Sequence, residues 1–375
     1  MAEALVKKST IAVKKETNYG EDPTIAKTDC IRVAAIDVND NYDIIEVDEI
    51  RNTFSEMPPL RGLENTGGDI TLNLKGSGTA GVVPEPDVLW ECAVGVKNLS
   101  TATTAAADCS ANTLKVASAA GLAVGDAVRL ATNPVQVVWI TEKNSNTLTV
   151  SPAMSPVPGA GVAVGAGAHY KLNNDELSSF WLEFWRGDIT DEKYAGNKVD
   201  TLEMDISTSA VVMPKFTFKG KSATKTASAY SFDDPTYVDI DPIVGLKQSV
   251  KIAGTLVPCD KFNFKIANEL FPRKDITSTG ISKQIRTGRR IEGSFDLLYE
   301  DQTLYDTFKA DTEAEAIIIL SRSSMAAGNI VAIRIPKLRY VSVPVGIESK
   351  IFKYSASWRA DMTNAEDEVT SVSFL

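Results

Sequence analysis

The residue types that usually carry catalysis are few and scattered in this sequence. Its single histidine, His169, has no pattern of serine, cysteine or carboxylate residues around it, which favours a structural role. The four cysteines lie far apart and lack the spacing of metal ligands; they are Cys30, Cys92, Cys109 and Cys259. They are typical of buried or half-buried thiols in a reducing compartment. The sequence therefore predicts no catalytic residue, no metal ligand and no enzyme activity.

Two further segments have the composition of a ligand site without its context. The glycine spacing of residues 76–81 matches a dinucleotide-binding loop, but Pro84 and Pro86 follow it. No helix N-terminus then stands where a pyrophosphate needs one, so a flexible loop is the favoured interpretation. The acidic residues between 233 and 241 lie in no ordered cation-binding loop. No cofactor is expected.

Composition indicates a folded protein without a membrane segment. The chain has 375 residues, of which 43% are hydrophobic and 23% charged, so two or three domains with their own cores are expected. Its formal net charge is -10, which disfavours a general nucleic-acid binder because such proteins are basic. No signal peptide is recognised, and the longest apolar runs are too short to span a bilayer, so synthesis in a cytosol is expected.

One segment, residues 288–308, predicts a half-buried strand followed by a short helix. Apolar and polar side chains alternate over 291–299, as they do in a strand with one buried face. Asp301 is placed to cap the helix, and Leu304 and Phe308, four residues apart, form the face that docks on the sheet.

The same pattern occurs in the first half of the chain. A strand is predicted over 70–74, and Pro86 opens a helix whose packing residues are Leu89, Trp90 and Ala93. Because a whole strand-and-helix unit recurs, the sequence predicts two related units in one chain.

The expected fold is all-β, with one short helix per unit: two tandem β-sandwich or barrel units plus an inserted small β-module. We divide the chain into an N-terminal arm (1–30), a first unit (31–98 and 172–221), the inserted β-module (99–171), a linker (222–242) and a second unit (243–375). The module is distinguished by its Ala, Gly, Ser, Thr and Val content and its recurring short strands.

Three local predictions accompany this division. The N-terminal residues, with a short strand over Ser9–Val13, are expected to form an arm or an edge strand that is ordered by a partner rather than by its own core. Residues 31–50 are expected to form two short strands separated by a turn at 39–41. Residues 54–68 are predicted to be a long exposed loop, interrupted by Pro58 and Pro59, which serves either as a connection or as a contact.

Three groups of segments, taken in order, resemble a known family. They are 56–62 leading to the strand at 70–74; then 184–188, 194–196 and 216–220; and finally 262–268, 271–273 and 289–301. With these segments the chain resembles the major tail protein, the tail tube subunit of long-tailed, siphovirus-type bacteriophages. The resemblance covers about three-quarters of the chain.

The resemblance implies a structural virion protein, made in the host cytoplasm, that stacks as rings around a lumen. DNA would pass through this lumen at ejection without specific binding. The implied partners are the chain itself, as a ring of three chains with pseudo-sixfold symmetry or alternatively of six chains, and the tape measure, tail terminator and distal tail proteins. Contacts between subunits or rings are expected at Met57, Pro58, Pro59, Leu60 and Arg61 and at Phe271, Pro272 and Arg273.

The alternative is a β-rich baseplate or receptor-binding module of a phage tail, with the inserted module contacting a cell surface. Tubes or stacked rings in electron micrographs would favour the first interpretation, and discrete particles the second.

Overall fold

The computed structural model describes residues 9–50, 52, 55–187, 189–228, 235, 237–277, 280–300, 302–322, 325–361 and 371–375. Strands dominate these residues, which confirms the all-β prediction. The described helices are two short α-helices and one 3-10 turn, and none is long and apolar enough to cross a membrane.

The first part of the chain contains β1 (Thr10–Lys15), β2 (Cys30–Ile31), β3 (Ala35–Ile45), β4 (Leu60–Thr71), helix α1 (Asp87–Val94) and β5 (Gly95–Leu99). The next strands are short: β6 (Thr103–Thr104), β7 (Thr113–Lys115), β8 (Ala127–Leu130), β9 (Gln136–Asn144), β10 (Thr147–Ser151) and β11 (Ala163–Val164). Longer strands then return: β12 (Ala168–Leu172), β13 (Phe180–Arg186), β14 (Thr190–Ser207), β15 (Met213–Lys219) and β16 (Ser222–Ala227).

The last part begins with β17 (Ser249–Ile252), β18 (Thr255–Leu256), β19 (Cys259–Ala267), β20 (Leu270–Lys274), β21 (Ile281–Arg286) and β22 (Arg290–Leu298). Helix α2 (Thr303–Lys309) follows, and then β23 (Ala314–Ser321), β24 (Ile330–Ser342), β25 (Val345–Glu348), β26 (Ile351–Ala360) and β27 (Ser371–Phe374).

Eight antiparallel strands form one continuous layer in the order β3–β4–β15–β14–β19–β22–β26–β24. Along these strands apolar side chains alternate with polar ones, so one face is buried and the other is polar. We call this layer the eight-stranded sheet.

A second layer covers the apolar face. It runs β5–β12–β27–β24–β23–β17, and β1 and β13 pair beside it. Both layers contribute to one hydrophobic core, in which Trp90 meets Phe216 and Phe374 edge to face at ring distances of 5.3 and 5.4 Å. This core fixes the eight-stranded sheet as a rigid surface.

The two α-helices lie where the sequence predicts them. Helix α1 begins directly after Pro86, and its Leu89, Trp90 and Ala93 are buried. Leu304 and Phe308 of α2 pack partly buried against the main core. The predicted cap of α2, Asp301, lies outside the described residues.

Residues 103–164 fold as a separate six-stranded sheet in the order β6–β11–β8–β9–β10–β7, with its own core around Leu130, Ile140 and Leu148. We call it the inserted module. On the other face of the module, Trp139 shares a hydrophobic cluster with Ile317 of β23. The module therefore packs against the second half of the chain.

The strand β12, which the sequence analysis assigned to the end of the module, instead belongs to the main sheet. It pairs with β5 and β27, and its Ala168 and Tyr170 are fully buried in the main core. The module therefore ends before Gly167, whose carbonyl accepts a hydrogen bond from Ser100 N at 2.9 Å.

The short strand predicted over Ser9–Val13 is confirmed as β1, but the expectation that a partner orders it is wrong. This strand pairs with β13 and β2, and Ile11 and Val13 are buried in the main core, so the chain's own sheet orders it. The predicted linker is likewise wrong over Ser222–Ala227, where β16 pairs with residues 190–195 of β14 because Ser, Thr and Ala accept a strand conformation at a sheet edge.

Two loop predictions are also corrected. Residues 35–45 form one strand rather than two, because β4 pairs with β3 straight through the predicted turn, for example Asn39 with Gly67. The loop predicted over 54–68 ends at Pro59, since Leu60 and Arg61 already belong to β4. The proline pair stops the strand ladder, as expected, but the residues after it are free to pair.

Candidate assembly surfaces

His169 is a structural residue that joins strand β12 to the C-terminal strand. It is fully buried, and its Nε2 and Nδ1 lie 2.8 Å from Ser100 Oγ and 3.0 Å from Ser373 Oγ. Burial lowers the pKa of His169 to about 4, so the ring is neutral near pH 7. A neutral ring held between two hydroxyls links three segments of the chain.

The other residues that could carry catalysis or bind a ligand have structural roles as well. No group of three or more His, Cys, Asp or Glu side chains among the described residues is arranged to hold a metal ion. All four cysteines fall in the described ranges, and no disulfide joins them. In the glycine-rich loop, Gly78 N donates to Gly328 O at 2.8 Å, and a Cβ on Gly76 would collide with the same carbonyl. These glycines allow two backbones to approach closely.

The polar face of the eight-stranded sheet is a ladder of mutually paired side chains. At its centre Asn263 Nδ2 donates to Asp205 Oδ1 at 2.8 Å and to Glu203 Oε1 at 3.2 Å. Lys265 Nζ lies 3.9 Å from Glu292 Oε1 on the next strand. Each contact joins neighbouring strands, because directly opposed residues on one face of an antiparallel pair lie close together.

The ladder continues towards β4. Lys215 Nζ lies 2.9 Å from Asp69 Oδ2, and Thr217 Oγ1 donates to Asp69 Oδ1 at 2.5 Å. Partial burial opposes ionisation of Asp69, but the hydrogen bonds from Thr217 and Lys215 outweigh it and lower the pKa of the carboxyl group. Lys215 and Lys265 thus lie beside carboxylates of the same face.

Two strand segments of the eight-stranded sheet have a partner on one side only within the described part of the chain. Strand β3 pairs with β4 alone, and residues 339–342 of β24 pair with β26 alone. They form the two opposite ends of the strand order. An open strand edge presents unpaired N–H and C=O groups and is a template for pairing with another chain.

The residues predicted to make contacts lie at one end of the eight-stranded sheet. Met57, Pro58 and Pro59 precede β4 in the β3–β4 connection, and Leu60 and Arg61 begin that strand. Phe271, Pro272 and Arg273 belong to β20, one strand of the β20–β21 hairpin between β19 and β22. The hairpin leans back towards β3, since Lys274 Nζ lies 3.4 Å from Asp43 Oδ2.

Within this set, exposure singles out two apolar side chains, Leu60 and Phe271, which are more than half exposed. The sequence analysis missed a second exposed apolar region at the opposite end of the sheet, the hairpin of β25 and β26. Its apolar side chains are Val345, Ile347, Ile351 and Phe352. The sequence does hold a sign of this region, because the β-branched residues Val341, Val343, Val345 and Ile347 follow one another around Gly346.

These surfaces agree with a comparison of the sequence with known families. The family model described as phage tail tube protein matches residues 7–360, nearly the whole chain. A search of curated proteins finds no match. With a match of this extent, the chain belongs to the phage tail tube protein family and is a structural component of the phage tail.

Proposed function

We propose that three copies of this chain close into a ring, that the rings stack into the tail tube, and that DNA leaves through the lumen along the polar face of the eight-stranded sheet. The observation that carries this proposal is the strand order of that sheet, which consists of two similar sets of four strands joined inside one chain.

The two sets correspond strand by strand. The first is β3–β4–β15–β14, and the second is β19–β22–β26–β24. In each set the second strand, β4 or β22, is followed along the chain by an α-helix. The third strand, β15 or β26, comes after the fourth strand in the sequence. This supports a duplicated unit with residues 31–98 and 172–221 in one copy and 243–375 in the other.

Two glycines fix the register of the correspondence. Gly68 of β4 lies opposite Val38 and Phe218, and Gly293 of β22 lies opposite Phe264 and Trp358. A Cβ at either glycine would collide with the carbonyl of the residue that precedes its partner on the first strand of the set. The same steric requirement at the same place is what a duplicated unit predicts.

The seam between the two sets suggests how chains join. Inside the chain the last strand of the first set, β14, pairs with the first strand of the second set, β19, over seven residue pairs. The remaining edges are the first strand, β3, and the last strand, β24. Pairing β24 of one chain with β3 of the next would repeat the internal seam, and a head-to-tail interface that closes on itself gives a ring.

Strand spacing favours three chains over six. Three chains of eight strands supply twenty-four strands, which at about 4.8 Å per strand give a circumference of about 115 Å and a width of about 37 Å before strand tilt widens it. After side chains are allowed for, that bore passes one DNA duplex closely. Six chains would double the width and leave the duplex loosely surrounded.

The paired charges of the polar face suit a conduit. Protein affinity for DNA comes largely from lysine and arginine side chains that replace counterions on phosphates. Here Lys215 and Lys265 face carboxylates of their own sheet. A lumen lined in this way lets DNA slide without a specific or strong non-specific attachment.

For stacking, we assign the predicted contact residues to the junction between rings. Met57, Pro58 and Pro59 in the first set and Phe271, Pro272 and Arg273 in the second lie in the connection between the first and second strands, and Leu60 and Arg61 directly follow it at the start of β4. If the sets surround the lumen, both connections point along the tube in the same direction. Tape measure, tail terminator and distal tail proteins would then bind the tube in the assembled virion.

Electron microscopy of the purified protein tests this function. Stacked rings with threefold symmetry and six similar units are expected. Six chains per ring would refute the duplication argument and leave the tube intact. Discrete particles without rings would instead favour a baseplate or receptor-binding module.

A further inference from the structure

The hairpin of β25 and β26 ends in apolar side chains that nothing in the described chain covers. Ile347 is 72% exposed and Phe352 is 55% exposed, and Val345 and Ile351 are also exposed. Such a concentration of apolar surface on one hairpin is unusual for a protein that stays monomeric and marks an interaction site. The strands themselves are well formed, with Ile347 paired to Phe352.

A large cavity lies at the start of the opposite edge strand, β3. Its volume is about 810 Å³, and its walls include the apolar residues Ile11, Ile31, Val33, Ile36 and Phe184 and the charged residues Arg32, Lys75, Glu85 and Arg186. Ala34 and Ala35 at its rim are exposed. The cavity is therefore an open hole, apolar in part, beside a strand edge that lacks a second partner in the described chain.

The internal seam shows what belongs at such a place. By the glycine register, residues 257–262 before and within β19 correspond to residues 31–36 before and within β3. Residues 257–262 are met by the turn that connects β14 to β15, since Thr208 N donates to Asp260 O at 3.2 Å. Only a small cavity of about 190 Å³ is left between Ile206 and Val257.

The counterpart of the β14–β15 turn in the second set is the connection from β24 to β26, which contains β25. It is longer than the β14–β15 turn and carries the exposed apolar side chains. The counterpart hole at β3 is correspondingly larger than the one at β19. A longer apolar hairpin on one edge and a larger, partly apolar hole on the other edge match each other.

From this match we infer that the β25–β26 hairpin of one chain inserts into the cavity at the start of β3 of a second copy of the chain. The inference rests on the proposed ring, and it adds the contact that holds neighbouring chains together. Both partners lie at the same end of the eight-stranded sheet, so insertion accompanies pairing of β24 with β3 in one ring. Burying large aliphatic side chains such as Ile347 is favourable, because each removes apolar surface from water.

Two variants with complementary defects test the inference. Ile347→Asp places a charge on the hairpin and leaves the cavity intact, whereas Val33→Trp fills the cavity and leaves the hairpin intact. Each variant alone is expected to remain monomeric by sedimentation velocity, with native circular dichroism and cooperative unfolding. Mixed in equal amounts, they can form one intact junction, so a complex with the mass of two chains is expected.

Val157→Asp is the matched control, because Val157 is an exposed apolar residue on the inserted module, away from the seam. It is expected to form rings as the wild type does. Rings from Ile347→Asp would overturn the inference while leaving the proposed ring intact, and so would rings of that variant that no longer stack. A mixture of the two variants that stays monomeric would also overturn it. Wild-type protein that forms no rings would overturn both the inference and the proposed function.

Discussion

The inserted module can be removed cleanly because its two ends meet. Ser100 N donates to Gly167 O at 2.9 Å, and Gly167 N donates to Ser100 Oγ at 2.8 Å, so the chain enters and leaves the module through adjacent residues. We predict that replacing residues 101–166 by an Asn-Gly turn leaves a folded chain that still forms tubes. A two-residue turn suits this site, because these two residues are already bonded like the last pair of a hairpin.

The energetic cost follows from the surface that the module covers. Ile317, Ile330 and Leu375 of the host are nearly fully buried and share a cluster with Trp139 of the module. Full burial of such a side chain contributes about 1.5–3 kcal/mol, and deletion loses only the part of that burial that the module provides. Deletion should therefore cost about 2–4 kcal/mol, less than the 5–15 kcal/mol that a folded domain typically has.

The assay combines urea unfolding, followed by tryptophan fluorescence, with negative-stain microscopy of the assembled protein. A lower urea midpoint with tubes of normal diameter is expected. A variant that folds cooperatively yet assembles into nothing would refute the prediction that assembly does not need the module. A variant that fails to fold would show that the module completes the host core.

Three substitutions test other parts of the argument. His169→Gln should flatten the dependence of stability on pH between pH 6.5 and 4. The pKa of His169 is about 4 in the folded protein and about 6.5 in the unfolded chain, so the free energy of unfolding of the wild type falls by up to about 3 kcal/mol as the pH drops through this window. Urea midpoints measured at several pH values would reveal the difference. Equal slopes in both proteins would contradict it. Gly293→Ala should lower the free energy of unfolding by at least about 1–3 kcal/mol, since its Cβ meets Asn263 O and the Trp358 ring, whereas Gly159→Ala, with open space around it, should be neutral. Trp139→Ala should cost about 3–5 kcal/mol and make the module separable by limited proteolysis; an unchanged digestion pattern would argue that other contacts hold it.

Much of the fold was readable from alternating side chains. The strand predicted over 291–299 is observed as β22 (Arg290–Leu298), because apolar and polar residues alternate there with few interruptions. The error at 39–41 has a physical cause. Asn and Asp favour turns locally. In β3, however, the residues before and after them in the sequence pair with β4 and hold them in the strand conformation.

Pairing between distant segments could not be predicted from one sequence. Strand β1 is buried because it lies between β2 and β13, and residue 11 gives no sign that its partner is residue 184. The pairing of β14 with β19 could not be predicted either. Without that pairing, the two open edges of the eight-stranded sheet could not be identified. The proline pair at 58–59 marked one end of the sheet correctly, whereas the exposed hairpin at the other end went unnoticed, because strand periodicity does not reveal which face lacks a partner.

In the ring proposed above, the fusion of two units in one chain would explain why the internal seam and the seam between chains differ. At the internal seam the second unit is always close to the first, since the connecting chain maintains a high effective concentration, and a short turn at Thr208 suffices. At the seam between chains no such tether exists, and the contact itself must offset the loss of translational freedom on association. Additional apolar contact is therefore needed only between chains. That requirement accounts for the exposed side chains on the β25–β26 hairpin and for the larger cavity beside β3.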